Sequence, residues 1–237
     1  MKDKVVVITG ASRGIGESIA LAFAKEKAKL VLVARNPEDL ERVRGRAMEA
    51  GAEDVLTVTT DISKEEEVEV MVEVTLSRFG RIDVLVNNAG VGYFKSVKET
   101  TLKEWQTMFD INVTGLFLCS RGVLQPMLEQ GSGHILNISS DVGRRTIAGG
   151  AGYCATKFAV QGFADSLRKE VQSKGVKVTN VLPGMTDTYF ANSEQGAAHK
   201  ADWLQAEDIA RAVLYAASQP EGVLVDDITI HPMVQEY

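Results

Sequence analysis

The sequence has few cysteines: Cys119 and Cys154 are the two it contains, and both lie in apolar stretches with helical spacing. Such a pair provides no disulfide framework, so we expect reduced core thiols in a cytoplasmic protein. No secretion signal precedes the first strand-like segment, and no apolar run reaches the ~18 residues that a membrane span needs. The sequence therefore predicts a cytoplasmic protein that has no membrane partner.

The sequence also lacks a long block of one charge sign, and its net charge is −6 with 24% charged residues. Domains that bind nucleic acid usually carry a basic patch, so we predict no nucleic-acid partner. The three histidines, His134, His199 and His231, do not have metal-ligand spacing, so we predict no metal and interpret them as structural or surface residues. The apolar fraction of 45% is sufficient for a substantial core.

Apolar strand-like segments alternate with helix-like segments along the whole chain, and no repeat or linker divides it. The first strand-like segment is a β-branched run without polar alternation, which is typical of a strand buried on both faces. We therefore predict an α/β fold in which residues 1–237 form one Rossmann domain, a doubly wound parallel sheet of about seven strands flanked by helices on both faces. The predicted strands are Lys4–Thr9, Lys29–Ala34, Val55–Thr59, Ile82–Val86, Gly133–Ser139, Val176–Leu182 and Asp227–Ile230.

A glycine-rich turn, Gly10-Ala-Ser-Arg-Gly14-Ile-Gly16, directly follows the first predicted strand and opens a helix-like segment. A buried strand, a tight glycine turn and a helix N-terminus together form a site for a dinucleotide pyrophosphate, because the backbone comes close and the helix amides face the phosphates. The spacing differs from the commoner G-x-G-x-x-G fingerprint. A plain connection between a strand and a helix is the alternative.

The residues after the second predicted strand, Ala34-Arg35-Asn36, include no carboxylate, and the next acid is Glu38. A carboxylate at this point would accept from the ribose 2′-hydroxyl of NAD, whereas arginine suits a 2′-phosphate. Arg13, in the glycine turn, would lie nearby, so we predict NADP(H) as the cofactor. A solvated loop position for Arg35 is the alternative. Asp61, after the third strand, would bind the adenine amino group or cap the helix that starts near Lys64.

The segment after Gly152 is predicted to form a long helix that contains Tyr153 and Lys157. Their i, i+4 spacing places both side chains on one helix face. An ammonium near a phenol favours the phenolate, so we expect Lys157 to lower the pKa of Tyr153 from its usual ~10 and make it a general acid/base. Ser140, upstream at the end of a strand, would hydrogen-bond the same reacting oxygen. A chance pair on a helix surface is the alternative.

Six motifs follow one another along the chain: Thr9-Gly10-x-x-x-Gly14-x-Gly16, Asn87-Asn88-Ala89-Gly90, Asn112, Ser140, Tyr153-x-x-x-Lys157 and Pro183-Gly184. In order and spacing they resemble the short-chain dehydrogenase/reductase family, and the resemblance covers nearly the whole chain. Within that family the chain is similar to the 3-oxoacyl-carrier-protein reductases and related NADPH-dependent ketoreductases.

The resemblance implies a role for each of four catalytic residues. Tyr153 would exchange a proton with the carbonyl or alcohol oxygen, and Lys157 would tune Tyr153 and bind the nicotinamide ribose. Ser140 would polarise the carbonyl, and Asn112 would hold a water that links Lys157 to solvent. The residues implied to contact the cofactor are Gly10, Ser12, Arg13, Gly14, Ile15, Gly16, Arg35, Asp61, Ile62, Asn88, Ala89, Gly90, Tyr153, Lys157, Pro183, Gly184, Thr186 and Thr188.

The implied activity is the NADP(H)-dependent interconversion of a small-molecule ketone or aldehyde with a secondary or primary alcohol, in a homodimer or homotetramer. A binding-only regulator or scaffold of the same fold is the alternative from another class, and an isomerase or dehydratase is the alternative among enzymes. Residues 189–204 correspond to a short substrate lid whose Tyr189, Phe190 and Trp203 would line an apolar pocket. Arg144-Arg145 would contact an acidic substrate group or lie solvated in a loop.

Overall fold

Buried β-branched segments form a parallel seven-stranded sheet in the computed structural model of the protein, which describes residues 1–236. The order of strands in the sheet is β3-β2-β1-β4-β5-β6-β9, and β7 and β8 form a separate two-stranded pair. The strands are β1 (Val5–Thr9), β2 (Lys29–Ala34), β3 (Asp54–Thr59), β4 (Val84–Asn87), β5 (Gly133–Ile138), β6 (Val176–Pro183), β7 (Thr186–Asp187), β8 (Leu204–Gln205) and β9 (Asp227–Ile230).

Helices cover both faces of the sheet, and each face has its own apolar core. The helices are α1 (Gly14–Lys25), α2 (Pro37–Ala50), α3 (Glu65–Phe79), α4 (Leu102–Phe109), α5 (Leu116–Gln130), α6 (Ala151–Val171) and α7 (Ala206–Ala217). Phe23 of α1 and Val213 of α7 pack in one core, and Met71 of α3 and Val123 of α5 pack in the other. The predicted doubly wound α/β fold is therefore confirmed.

The predicted strands agree with the sheet except at their ends, and the fourth strand differs most. It begins at Val84 rather than Ile82. The Ile82 amide instead donates to Gln130 Oε1 at 3.0 Å, and the Ile82 carbonyl accepts from Gln130 Nε2 at 2.9 Å. These backbone groups are therefore used by a side chain and not by a neighbouring strand. Cys119 and Cys154 are buried free thiols, as predicted.

The long helical region between Leu102 and Gln130 is interrupted near Asn112. A π-helix over Asp110–Gly115 separates α4 from α5. Gly115 is required there, because a Cβ atom at this position would lie 2.7 Å from Cδ1 of Ile62. Single π turns inside helices are frequent at functional sites. Within residues 1–236, no helix combines the length and the apolar character needed to traverse a lipid bilayer.

A row of polar side chains crosses the sheet from β4 to β9. Asn87, Asn137, Asn180 and Asp227 occupy paired positions on four neighbouring strands. Each amide Nδ2 donates to the side-chain oxygen of the next member, at 3.0, 3.1 and 3.1 Å. Buried amides must find such partners, so this row satisfies polar groups inside the sheet.

The chain leaves β1 toward β2 and β3, then returns to the other side of β1 with β4. This reversal creates a crevice between the loops that follow the two strands. In open parallel sheets, ligands bind in such a crevice outside the carboxyl ends of the strands. The glycine turn follows β1 at this edge, and the Asn88-Ala89-Gly90 segment follows β4.

Candidate active site

A cavity of about 1080 Å³ opens at the carboxyl ends of the central strands. It is lined by all the predicted site residues apart from Gly16 and Asn112, namely Gly10, Ser12, Arg13, Gly14, Ile15, Arg35, Asp61, Ile62, Asn88, Ala89, Gly90, Ser140, Tyr153, Lys157, Pro183, Gly184, Thr186 and Thr188. Residues separated by more than 170 positions in the chain therefore share one site.

The glycine turn after β1 brings bare backbone to the cavity. Gly10 and Gly14 have φ values of 64° and 57°, in the left-handed region that favours glycine. A Cβ atom on Gly10 would lie 2.8 Å from the Cα atom of Ala89, so the two loops approach too closely for a larger residue. Within residues 1–236, no side chain caps the start of α1 at Arg13, which leaves the first helix amides available to an anion.

Gly16 has a different role from the one predicted for it, because it does not line the cavity. A Cβ atom at Gly16 would lie 2.2 Å from the carbonyl oxygen of Gly10. The residue is buried, and its small size lets α1 pack against the turn. Gly16 therefore shapes the turn but does not contact the cavity itself.

The two loops are fixed to each other by Thr9 and Asn88. The Thr9 hydroxyl oxygen accepts from the amides of Asn88 and Ala89, at 3.0 Å and 3.1 Å. The Asn88 side chain donates to the carbonyls of Thr9 and Gly10, at 3.0 Å and 3.1 Å. The Asn88 amide group is therefore committed to the loop, and the backbone of this segment faces the cavity.

Arg13 and Arg35 are exposed side chains on the rim of the cavity. The Arg13 guanidinium lies 5.5 Å from the ring centroid of Tyr189. Asn36, between Arg35 and α2, caps that helix by accepting from the amides of Glu38 and Asp39. Sequence reasoning missed this cap, although Asn followed by Pro at the start of a helix is a recognisable signal.

Asp61 does not cap α3, whose N-cap residue is Lys64, so that alternative is wrong. Its carboxylate instead accepts from the amide and hydroxyl of Ser63, at 3.0 Å and 2.7 Å. Burial raises the pKa of Asp61, but the hydrogen bonds from Ser63 and the charge of Arg35 bring it below its usual value. An ionised acceptor therefore stands at the rim of the cavity.

Helix α6 presents Tyr153 and Lys157 on one face, toward the cavity. Both are buried, and the Lys157 Nζ lies 5.5 Å from the centroid of the Tyr153 ring. The Lys157 Nζ donates to the carbonyl of Ile138 at the end of β5, at 2.9 Å. The pair is thus held between the helix and the sheet.

The pKa values of this pair depend mainly on burial. Burial raises the pKa of the Tyr153 phenol above its usual value, the hydrogen bond with Ser140 lowers it, and the charge of Asp141 raises it further. Burial lowers the pKa of Lys157 to about 8. In the protein by itself the pKa of Tyr153 therefore shifts in the opposite direction to the expected one, because loss of solvation raises it.

Ser140 follows β5 in an extended conformation and lines the cavity beside Tyr153. Its hydroxyl donates to Asp141 Oδ1 at 3.1 Å and lies 3.4 Å from the carbonyl oxygen of Pro183. Ser139, the preceding residue, is buried and also borders the cavity. The Ser139 hydroxyl oxygen is fully buried, whereas Ser140 is half-buried, so Ser140 carries the more accessible hydroxyl at the end of β5.

Asn112, in the π-helix, is buried behind the cavity. Its Oδ1 accepts from the amide of Val91 at 2.8 Å, and its Nδ2 donates to the Val91 carbonyl at 2.8 Å and to Thr156 Oγ1 at 3.1 Å. The side chain therefore joins the segment after Gly90 to α6. Asn112 is absent from the residues that line the cavity, and its role in holding a water beside Lys157 stays a prediction.

Aromatic rings form the inner wall of the cavity. The ring centroids of Phe94, Tyr153 and Phe190 are 5.3 to 6.3 Å apart. Arg144 and Arg145 separate in the structure: Arg144 is exposed and bonds to Asp227 at 2.6 Å, whereas Arg145 is half-buried and lines the cavity. The wall is therefore mainly apolar with one guanidinium beside it.

Lys200 is a buried cation that sequence reasoning missed. Its side chain is 2% exposed, and its Nζ donates to the carbonyls of Thr188 and Glu194 at 3.0 Å and 2.5 Å. The same Nζ lies 3.4 Å from Asp187 Oδ1. Lysine is almost always exposed, so its sequence position carries no signal of burial.

The histidines differ in their surroundings. His134 is buried, and its Nε2 lies 2.8 Å from Thr179 Oγ1. His199 is exposed, and the His231 Nε2 lies 3.4 Å from Asp141 Oδ2. The interpretation as structural or surface residues is confirmed for His134 and His199, and His231 sits next to the site.

The cavity fits a nicotinamide dinucleotide. The uncapped start of α1 and the close approach of the loops at Gly10 suit a pyrophosphate, because such ligands bind where backbone amides are accessible. The cavity continues from this turn to the buried Tyr153 and Lys157 side chains. The glycine turn, the segment after β4 and the Pro183-Gly184 loop would hold the cofactor.

Comparisons with known proteins agree with this geometry. A model of the short chain dehydrogenase family matches residues 4–198. An uncharacterized oxidoreductase of Staphylococcus aureus is 39% identical over 233 residues, which cover 98% of this chain and 99% of that protein. An alcohol dehydrogenase from the archaeon Thermococcus sibiricus, complexed with 5-hydroxy-NADP, is 36% identical with a TM-score of 0.94, covering 100% and 99% of the two chains.

A third similar protein is a 3-ketoacyl-(acyl-carrier-protein) reductase from Brucella melitensis, solved with NADH. It is 31% identical, with a TM-score of 0.89 over 98% of each chain. The family match, the relatives and the fold give one consistent assignment. The chain is an oxidoreductase that belongs to the short-chain dehydrogenase family.

Proposed function

We propose that the protein interconverts a ketone or aldehyde with an alcohol by hydride transfer to or from NADP(H). The observation that carries this proposal is the convergence of Ser140, Tyr153 and Lys157 at the inner end of a cavity whose outer end is the glycine turn. When bound, the nicotinamide supplies or accepts the hydride. The protein's own residues provide placement and the proton.

Tyr153 is the proposed acid/base. Its raised pKa keeps the phenol protonated at neutral pH, which suits proton donation to a carbonyl oxygen during reduction. The hydrogen bond with Ser140 lowers the pKa of Tyr153, so it favours the loss of the phenolic proton. The Lys157 pKa of about 8 leaves most of its ammonium charged at pH 7, where it stabilises negative charge that develops nearby.

The proposed preference for NADP(H) rests on charge at the outer end of the cavity. Arg13 and Arg35 line this end, and the loop after β2 has no acid before Glu38. Guanidinium groups pair well with phosphate. The complex of the Thermococcus sibiricus relative with 5-hydroxy-NADP supports the same preference.

We also propose that residues 189–204 form the substrate lid and that the protein is a cytoplasmic homo-oligomer. Phe190 and Trp203 of this segment line the cavity, which supports the lid. Exposed apolar side chains on α4 and α5, including Leu102 and Phe117, support burial against another copy. Light scattering of the purified protein would give a dimer or tetramer mass, and a monomer would exclude this assembly.

The test of the function is NADPH oxidation with a panel of ketones and aldehydes, compared between the wild-type protein and Tyr153→Phe. We expect turnover with at least one carbonyl and a loss of about 100-fold or more in kcat for the variant, as is typical of a lost general acid. Tyr215→Phe, at an exposed tyrosine, is the matched control. NADPH binding without turnover of any carbonyl would instead favour the regulator or scaffold.

A further inference from the structure

The C-terminal segment, residues 231–236, lies against the loops that carry Ser140 and Pro183. Gln235 connects them. Its Oε1 accepts from the amide of Met185 at 2.9 Å, and its Nε2 donates to Asp141 Oδ2 at 2.7 Å. The other oxygen of Asp141, Oδ1, accepts from the Ser140 hydroxyl at 3.1 Å. A continuous chain of hydrogen bonds therefore runs from the C-terminal segment to Ser140.

The Gln235 side chain packs closely against Gly184. A Cβ atom on Gly184 would lie 2.2 Å from Gln235 Oε1 and 2.7 Å from His231 Cδ2, so glycine is needed at that position. Asp141 is 6% exposed, and His231 Nε2 approaches its Oδ2 to 3.4 Å. A carboxylate this buried requires donors, because an oxygen left without them keeps the full cost of its lost solvation.

The donors around Asp141 determine what the Ser140 hydroxyl is able to do. A serine hydroxyl has one proton, so it donates either to the Asp141 carboxylate or to a substrate oxygen. The Gln235 N–H group donates to the same carboxylate. This bond makes the Asp141 carboxylate a weaker acceptor for the Ser140 proton. Without that donor, Asp141 would bind the Ser140 proton more strongly.

We propose that Gln235 is a positioning residue that acts through Asp141 on Ser140, so that the C-terminal segment completes the active site. This role rests on the proposed function, in which Ser140 polarises the carbonyl. Gln235 also lines the cavity, so displacement of its side chain would change the wall next to Ser140.

The test is a double-mutant cycle of Gln235→Ala with Ser140→Ala, measured as kcat and KM with NADPH and the best carbonyl of the panel. We expect Gln235→Ala to lower kcat about tenfold, which corresponds to loss of one hydrogen bond to a charged group. The KM for NADPH is measured alongside, because Gln235 also bonds to the Met185 amide in the loop that would hold the cofactor; a loss confined to this KM would mean that Gln235 supports the loop and does not act on Ser140. In the Ser140→Ala background, Gln235→Ala should have no further effect on kcat, because the two residues act in one chain.

Two further variants distinguish the positioning of Ser140 from a purely structural role of Gln235 in holding the C-terminal segment. Gln235→Glu keeps the shape but replaces the N–H donor with a second carboxylate beside Asp141, so it should lose at least as much kcat as Gln235→Ala. Met233→Ala changes a fully exposed side chain in the same segment and should retain wild-type kcat.

Additive losses in the cycle, or full activity of Gln235→Glu, would overturn the positioning role while leaving the proposed function intact. A wild-type protein that turns over no carbonyl would overturn the proposed function and this role together. If Gln235→Ala does not fold, the nearly isosteric Gln235→Glu variant replaces it in the same cycle.

Discussion

Lys157 shows how a single buried residue links charge to pH. Burial lowers its pKa to about 8, whereas a lysine in an unfolded chain titrates near ~10.4. Below pH 8 the native protein therefore holds a buried ammonium, whose side chain donates to Ile138. In this pH range the buried Lys157 ammonium lowers the stability of the fold, and in the same range the proposed chemistry needs its charge. Active sites commonly contain such destabilising groups.

The sign of the pH effect follows from this difference. Between pH 8 and about 10.4 the unfolded chain binds more protons at this lysine, so the Lys157 contribution to the free energy of unfolding rises with pH, by on the order of 3 kcal/mol in total. We therefore expect wild type to gain stability relative to Lys157→Met between pH 7 and 10 in denaturant titrations. Lys169→Met, at an exposed lysine, should show no such trend. A constant difference between wild type and Lys157→Met would contradict the lowered pKa.

Arg35 lies at the other end of the cavity, and its substitution tests the proposed preference for NADP(H). Arg35→Asp places a carboxylate where a 2′-phosphate would lie, so the ratio of kcat/KM for NADPH to that for NADH should fall about 30-fold or more. Steady-state kinetics with both cofactors measure this ratio. Arg44→Asp, on α2 and outside the cavity lining, is the control. An unchanged ratio in Arg35→Asp would exclude Arg35 as the phosphate ligand.

At the scale of elements, Lys200 fixes the segment between β7 and β8. Its ammonium bonds to two carbonyls and faces Asp187, so the segment is held from inside. Asp187 Oδ2 in turn accepts from the amide of Gly196 at 2.8 Å. The buried ion pair of Lys200 and Asp187 therefore holds the proposed lid in its conformation.

Lys200→Met removes one partner of this pair and leaves Asp187 buried without its cation. We expect a loss of ~3 kcal/mol in the free energy of unfolding and faster proteolysis within residues 189–204. The double variant Lys200→Met with Asp187→Asn should recover part of this loss, because no unpaired charge remains. Equal stability of wild type and Lys200→Met would show that the pair does not hold the segment.

Much of the fold follows from local pattern, and much of the site does not. The alternation of apolar strands and helices and the glycine turn are local features, so sequence reasoning finds them. The contact between Gln235 and Asp141 joins residues 94 positions apart, and neither residue belongs to a motif. Burial of Lys200 and the Asn112 bonds to Val91 likewise depend on how distant segments pack. Local propensity carries no information about such contacts.

At the scale of the whole molecule, the cavity is lined by segments that extend along the chain from Gly10 to Glu236. A ligand that bridges these segments would bind the native state and not the unfolded chain. NADPH at 100 times its Kd should therefore add ~2.7 kcal/mol to the free energy of unfolding. Thermal unfolding with and without NADPH measures this gain, and Tyr153→Phe should retain most of it. No shift in wild type would exclude NADPH as a ligand of the cavity.

The row of amides from Asn87 to Asp227 has a consequence for divergence within the family. Every amide in it gives its Nδ2 hydrogen toward β9, so each member depends on the orientation of the one before it. Exchange of Asn137 alone for an aliphatic residue would leave Asn180 Oδ1 without its donor and remove one of the two acceptors of Asn87 Nδ2. Related chains should consequently keep these four positions together or replace them together, as a correlated set across the sheet.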